Sequence, residues 1–170
     1  MKKYLSILFI IGLLVFTGCE STKSSSLTKD ISSKIEIEDE GAKLECVTDY
    51  DYEDLGYVIG SKYVVWADKD NKVTKVSSIE IIESNDSTKL DEFEEYLKTN
   101  HTTAQSYGGY TYNLDRKNNR VTSDVTIDYN EFDTTKFAED NKDVGKDDTT
   151  LTLDSIEAKY VSLGAECKRK

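Results

Sequence analysis

One stretch narrows the choice of fold more than any other: Val121, Ser123, Val125, Ile127 and Tyr129 alternate with Thr122, Asp124, Thr126 and Asp128. A period of two is the signature of a β-strand, whose successive side chains leave opposite faces of the pleat. One face apolar and the other polar means an antiparallel sheet packed on one side and wet on the other. Upstream, Tyr110 to Leu114 leads into a polar turn, Asp115 to Arg120, so the two runs form a hairpin. Tyr63 to Ala67, the turn Asp68 to Lys72, and Val73 to Ile82 repeat the plan. With one extra residue in the second turn, Val73-Thr74 falls on Val121-Thr122 and Ser78-Ile79-Glu80 on Thr126-Ile127-Asp128. That match suggests an internal duplication, although hairpins of Tyr, Val, Thr and Ile resemble one another on composition alone.

Between the hairpins, Leu90, Phe93 and Leu97 recur at helical spacing from Asp86 to about Asn100. Asp86 or Ser87 caps this helix, and Asp91, Glu92, Glu94 and Glu95 form its solvated side. A second helix starts near Thr152, carries Ile156, Tyr160 and Leu163 on one stripe, and stops at Gly164. Lys34 to Tyr57 holds one or two strands around Ile35, Ile37, Leu44 and Val47, while Glu131 to Asp148 reads as a loop or short helix. The expected class is therefore α+β: a two-layer domain of antiparallel β-hairpins with two helices, in ββαββα-like order.

The chain begins with Lys2 and Lys3, an apolar run from Tyr4 to Phe16, and Thr17-Gly18-Cys19, the order of an export signal. The run falls short of the roughly 20 apolar residues a transmembrane helix needs. Phe16-Thr17-Gly18-Cys19 resembles the lipobox of bacterial lipoproteins, with phenylalanine where leucine is usual. That resemblance implies cleavage before Cys19 and a diacyl group on its sulfur, supplying the two chains that stable membrane attachment needs. The competing reading is an ordinary secretory signal that releases a soluble protein. The expected organisation is a signal peptide over 1–18, a lipidated Ser/Thr/Lys-rich tether over 19–34, and one domain over 35–170. The expected location is the outer, extracytoplasmic face of the cell membrane.

Net charge is −11 for the whole chain, and losing the two lysines of the signal leaves the mature chain more acidic still. Such a surface repels nucleic acid, so no nucleic-acid partner is expected. With Cys19 lipidated, Cys46 and Cys167 form an even pair in a compartment that permits disulfides. Bonded, they would close a loop of about 120 residues, worth on the order of 4 to 5 kcal/mol in the chain-entropy model; unbonded, they are two separate thiols. Cys-x-x-Cys spacing, which would mark a redox-active pair, is absent.

Candidate chemistry is sparse. His101 stands at the end of the expected acidic helix, where a cation favours the C-terminal dipole, so capping is expected of it. Asp49, Asp51 and Glu53 would share one strand face opposite Tyr50 and Tyr52. Same-face residues nearly 7 Å apart are too far for a compact calcium cage without a loop. Asp68-Lys69-Asp70-Asn71-Lys72 lacks the glycine and terminal glutamate of a calcium loop and reads as a hairpin turn. No phosphate-cradling loop or His-Glu-x-x-His occurs, and no catalytic residue, metal ligand or cofactor is assigned. Aromatic residues remain: Tyr63, Trp66, Tyr110 and Tyr112, on the leading strands of the hairpins, are the candidate binding face for an envelope protein, peptide or polysaccharide.

Tyr-Gly-Gly-Tyr-Thr-Tyr from Tyr107 to Tyr112, then Val125-Thr126-Ile127-Asp128-Tyr129, then Leu151-Thr152-Leu153-Asp154 opening the final helix, resemble the YehR-like lipoproteins over about Gly41 to Gly164. The resemblance implies a small exported lipoprotein and carries no catalytic residues. The resulting expectation is a monomeric, membrane-anchored, non-enzymatic binding module at the cell envelope. The alternatives are a small envelope hydrolase using two carboxylates and a calcium-stabilised structural module.

Overall fold

β-Branched and aromatic residues dominate the long strands of this chain, and their hydrogen-bonded register decides which of them meet the helices. The computed structural model describes residues 31–140 and 151–170. The expected signal peptide, Cys19 and the expected tether up to residue 30 lie outside the described residues. Six strands form one antiparallel sheet in the order β4-β5-β3-β2-β1-β6: β1 Leu44–Tyr52, β2 Tyr57–Ala67, β3 Val73–Ser84, β4 Tyr110–Lys117, β5 Arg120–Asp128 and β6 Glu166–Arg169. Helices α1 Ser87–Gln105, α2 Thr134–Asp140 and α3 Leu153–Ser162 cover one face, giving a two-layer α+β domain. None of the described helices is long and apolar enough to cross a membrane.

Local chemistry sets the ends of these elements. Asp86 caps α1 by accepting from the amides of Thr88 (2.9 Å) and Lys89 (3.5 Å). Thr152 and Ser155 form a reciprocal capping box on α3, and Gly164 stops it with φ at 86°. In the β2–β3 turn, Asp68 Oδ1 accepts from the amides of Asp70 and Lys72, so this carboxylate holds the hairpin together. In the link from α1 to β4, a Cβ on Gly109 would lie 2.4 Å from the Asp128 carbonyl oxygen, so only glycine lets these two backbones meet.

The helix-facing side of the sheet carries two apolar clusters. Leu90, Phe93 and Leu97 of α1 pack on Tyr57, Ile59 and Ile82 at the β1–β2 turn end. Tyr160 and Ile156 of α3 and Phe137 of α2 pack with Tyr63, Val76 and Ile127 at the other end. Cys46 and Cys167 are directly opposed across β1 and β6 and joined by a disulfide, which pins the four-residue edge strand β6. Strand β6 itself carries no periodicity that sequence reading could have used.

Two expectations change. The register breaks between Trp66 and Ala67, and beyond the bulge Ser78 and Glu80 face the helices, whereas Thr126 and Asp128 face away. Val73 and Val121 both face the helices, but beyond the bulge Ser78-Ile79-Glu80 and the aligned Thr126-Ile127-Asp128 have opposite facing, so the match between the hairpins does not extend past the bulge. Packing also begins earlier than residue 35. Ile31 and Ser32 are buried, and with Ile35 they cross the outer face of the sheet over Val58 and Ile81. Ser32 donates through its amide (2.9 Å) and its hydroxyl to the Asp49 carboxylate. Gly60 makes room for this strap, since a Cβ there would lie 2.6 Å from Ile31 Cβ.

Candidate functional site

The four aromatic residues expected to share a binding face do not share one. Tyr63, Tyr110 and Tyr112 face the helices; Tyr63 is stacked on Tyr160 with ring centroids 4.4 Å apart, and Tyr110 is buried. Trp66 projects from the opposite face, where its indole donates to the Glu40 carbonyl (3.0 Å) and the Lys75 ammonium sits 3.6 Å from the ring. Tyr63 and Trp66 are three residues apart, an odd separation that puts them on opposite sides of a regular strand.

A different aromatic row is partly exposed. Tyr50 and Tyr52 face the helices, as the alternation with Asp49 and Asp51 implies. Their rings continue into Tyr57 and then the edge of Phe93, with centroid separations of 5.9, 5.1 and 4.9 Å. Helix α1 lies over β3, β4 and β5, and α3 lies over β1 and β6, so this row occupies the space between them at the β1–β2 turn end. One flank of α1 is committed to β4 through Arg116, which bridges Asp91 and Glu94. Helical spacing puts Lys89 and Tyr96 on the other flank; Lys89 lies beside Gly56, and Tyr96 is 43% exposed. Leu55, 46% exposed, stands in the β1–β2 turn. Burial, with Tyr52 nearby, raises the Tyr57 phenol above its ordinary range. Among the described residues the buried Tyr57 hydroxyl has no hydrogen-bond partner.

Next to the row, the helix-facing side of the sheet turns polar. Thr48, Ser61, Glu80 and Ser123 follow one another across β1, β2, β3 and β5 in register, and all are buried. Ser61 donates to Glu80 at 3.4 Å, and burial pushes the Glu80 carboxyl up to about 7, the Ser61 bond opposing the shift. His101 contributes from α1: Nε2 is 2.8 Å from the Ser123 hydroxyl and Nδ1 is 2.7 Å from the Tyr110 hydroxyl. Burial drops its pKa to about 4, so the neutral ring donates to one hydroxyl and accepts from the other.

His101 is therefore a core residue, not a C-terminal cation: α1 runs on to Gln105 and turns His101 inward with Leu97 and Ala104. The spacing Phe93, Leu97, His101, Ala104 carried that signal in the sequence. Glu80 is the one acid among the residues of the sheet that face the helices, so this face does not assemble the paired carboxylates of a glycosidase. Asp49, a candidate calcium ligand, instead ties down the strap. Among the described residues no group of three or more His, Cys, Asp or Glu side chains could hold a metal ion.

Architecture and site together define a disulfide-closed α+β domain with a half-buried pair of tyrosines at the β1–β2 turn end. No family model matches the chain, and no curated protein does. Among solved structures it is similar to the NMR structure of a protein from Streptococcus pneumoniae TIGR4, at 14% identity and a TM-score of 0.45, over 89% of this chain and 99% of that one. So slight a likeness carries no argument about function.

Proposed function

We propose that the chain is an extracytoplasmic lipoprotein, anchored through Cys19, that acts as a non-enzymatic binding module at the cell envelope. The anchor rests on the amino-terminal sequence and its lipobox resemblance. The Cys46–Cys167 disulfide supports an oxidising compartment. The order of strands and helices is compatible with the resemblance to the YehR-like lipoproteins.

The observation that carries the binding reading is the pair Tyr50–Tyr52, half-buried at the end of the row that runs into the buried Tyr57, with Tyr96 exposed on α1. Tyrosine offers a large contact area with few rotatable bonds and a polar tip, which suits it to recognising a peptide or a sugar polymer. His101 and Glu80 are held inside the core, which suits them to structure rather than turnover.

The test is the pair Tyr52→Ala and Tyr96→Ala in the full chain. The double variant should keep its melting temperature within a few degrees yet lose binding to purified peptidoglycan and to the peptides selected by the wild type from an array. Undiminished binding by the folded variant removes the proposed site. Separately, mass spectrometry of the membrane fraction should find a diacylated amino-terminal Cys19; an intact Met1 removes the anchor.

A further inference from the structure

We infer that Glu80 and His101 form an opposed acid and base, buried on either side of Ser123, that cancel one another's effect and hold the stability of the fold level through mildly acidic pH. The geometry is specific. Glu80 of β3 is the register neighbour of Ser123 of β5, and His101 of α1 is hydrogen-bonded to that same serine. Glu80 is 8% exposed and His101 1%. Ser61 and Tyr63 from β2, Tyr110 from β4, and Ser123 with His101 beyond it surround the carboxyl, while Tyr129 and Tyr160 continue the phenolic cluster. His101 is faced by Tyr110, Tyr112 and Ser123. Among the described residues the titratable neighbours are phenols, of which Tyr63 and Tyr110 are held protonated by burial, and no lysine or arginine acts on either group. Each group is thus buried without a counter-charge and is driven to its neutral form.

The two neutral forms have opposite consequences. A carboxyl whose folded pKa is about 7 stays protonated in the fold while the unfolded chain ionises above about 4.5. Its contribution therefore makes the folding constant fall as pH rises between those values. An imidazole whose folded pKa is about 4 stays neutral while the unfolded chain protonates below about 6.5. Its contribution makes the folding constant rise with pH through that window. Each slope is about tenfold per pH unit, and from about pH 4.5 to 6.5 they run together with opposite sign. Removing one group exposes the other.

The experiment is urea denaturation of the oxidised full chain at half-unit steps from pH 4.5 to 6.5, comparing wild type, Glu80→Gln, His101→Gln and the double variant. Relative to wild type, the Glu80→Gln folding constant should gain roughly fortyfold across the window as pH rises, and His101→Gln should lose about as much; the double variant should parallel wild type. Comparing variants removes the background of the surface acids. A Glu80→Gln slope parallel to wild type overturns the inference. If His101→Gln does not fold, nitrogen-15 NMR of the wild-type imidazole decides its half. A single neutral tautomer down to pH 5 supports it, and protonation near pH 6.5 overturns it.

Discussion

Reducing the Cys46–Cys167 bond should be the most damaging mild treatment this domain can meet. The two cysteines are separated by 121 positions, so the bond ties the beginning of the sheet to its last strand and encloses nearly all of the domain. In the chain-entropy model the denatured ensemble loses about 2.1 + 1.5R ln n cal/mol/K. For a ring of about 120 residues that is roughly 16 cal/mol/K, or about 5 kcal/mol at 25 °C. Domains of this size are stable by on the order of 7 to 20 kcal/mol in all, so the bond accounts for a large share. In thermal terms the loss corresponds to on the order of 15 to 20 °C in Tm. The assay is urea denaturation with and without a phosphine reductant, repeated on Cys46→Ala/Cys167→Ala in oxidising buffer. Both reduced and double-alanine proteins should lose most of this amount, the alanine pair slightly more because Cys46 is fully buried. The m-value should rise on reduction, because an uncrosslinked chain exposes more surface when unfolded. A reduced protein within about 1 kcal/mol of the oxidised one, with the same m-value, would refute the argument that loop closure stabilises this fold.

Other substitutions test single contacts. Gly60→Ala should cost about 1 to 3 kcal/mol by forcing the new methyl against Ile31 and Asp49, and pairing it with Ile31→Gly should recover part of the loss in a denaturation series. Asp86→Ala removes the cap of α1 and should cost about 1 kcal/mol, with fraying in the first turn seen by amide exchange. Trp66→Ala should leave binding intact and cost under about 1.5 kcal/mol, since the ring lies on the outer face against Lys75; loss of binding in that variant would return the site to the outer face.

What could be read from the sequence depended on how unlike the two faces of an element were. Strand β5 was legible because Val121, Val125 and Ile127 are buried while Asp124 is exposed. Strand β3 was legible as a strand, but its two faces were not: Ile79 and Ile81 meet the strap on the outer face while Val76 and Ile82 meet the helices, so the run is apolar on both sides and Glu80 hides within it. The bulge after Trp66 then undid an alignment that assumed unbroken alternation. Helix caps at Asp86 and Thr152 were visible because a side chain bonded to its own helix needs no tertiary partner. The partial exposure of Tyr50 and Tyr52 was not, because it depends on where α1 and α3 come to rest over the sheet.

The strap over Gly60 also settles where force enters the molecule. A pull on the amino-terminal segment reaches Ile31 and Ser32 first, wedged at the middle of the sheet between β1 and β2, instead of the end of an edge strand. Such a load shears many contacts at once and cannot unzip hydrogen bonds one pair at a time. At the opposite terminus a covalent rivet locks β6 to its neighbour. Tension applied at Ile31 should therefore strip the strap from its notch while the body behind it stays whole.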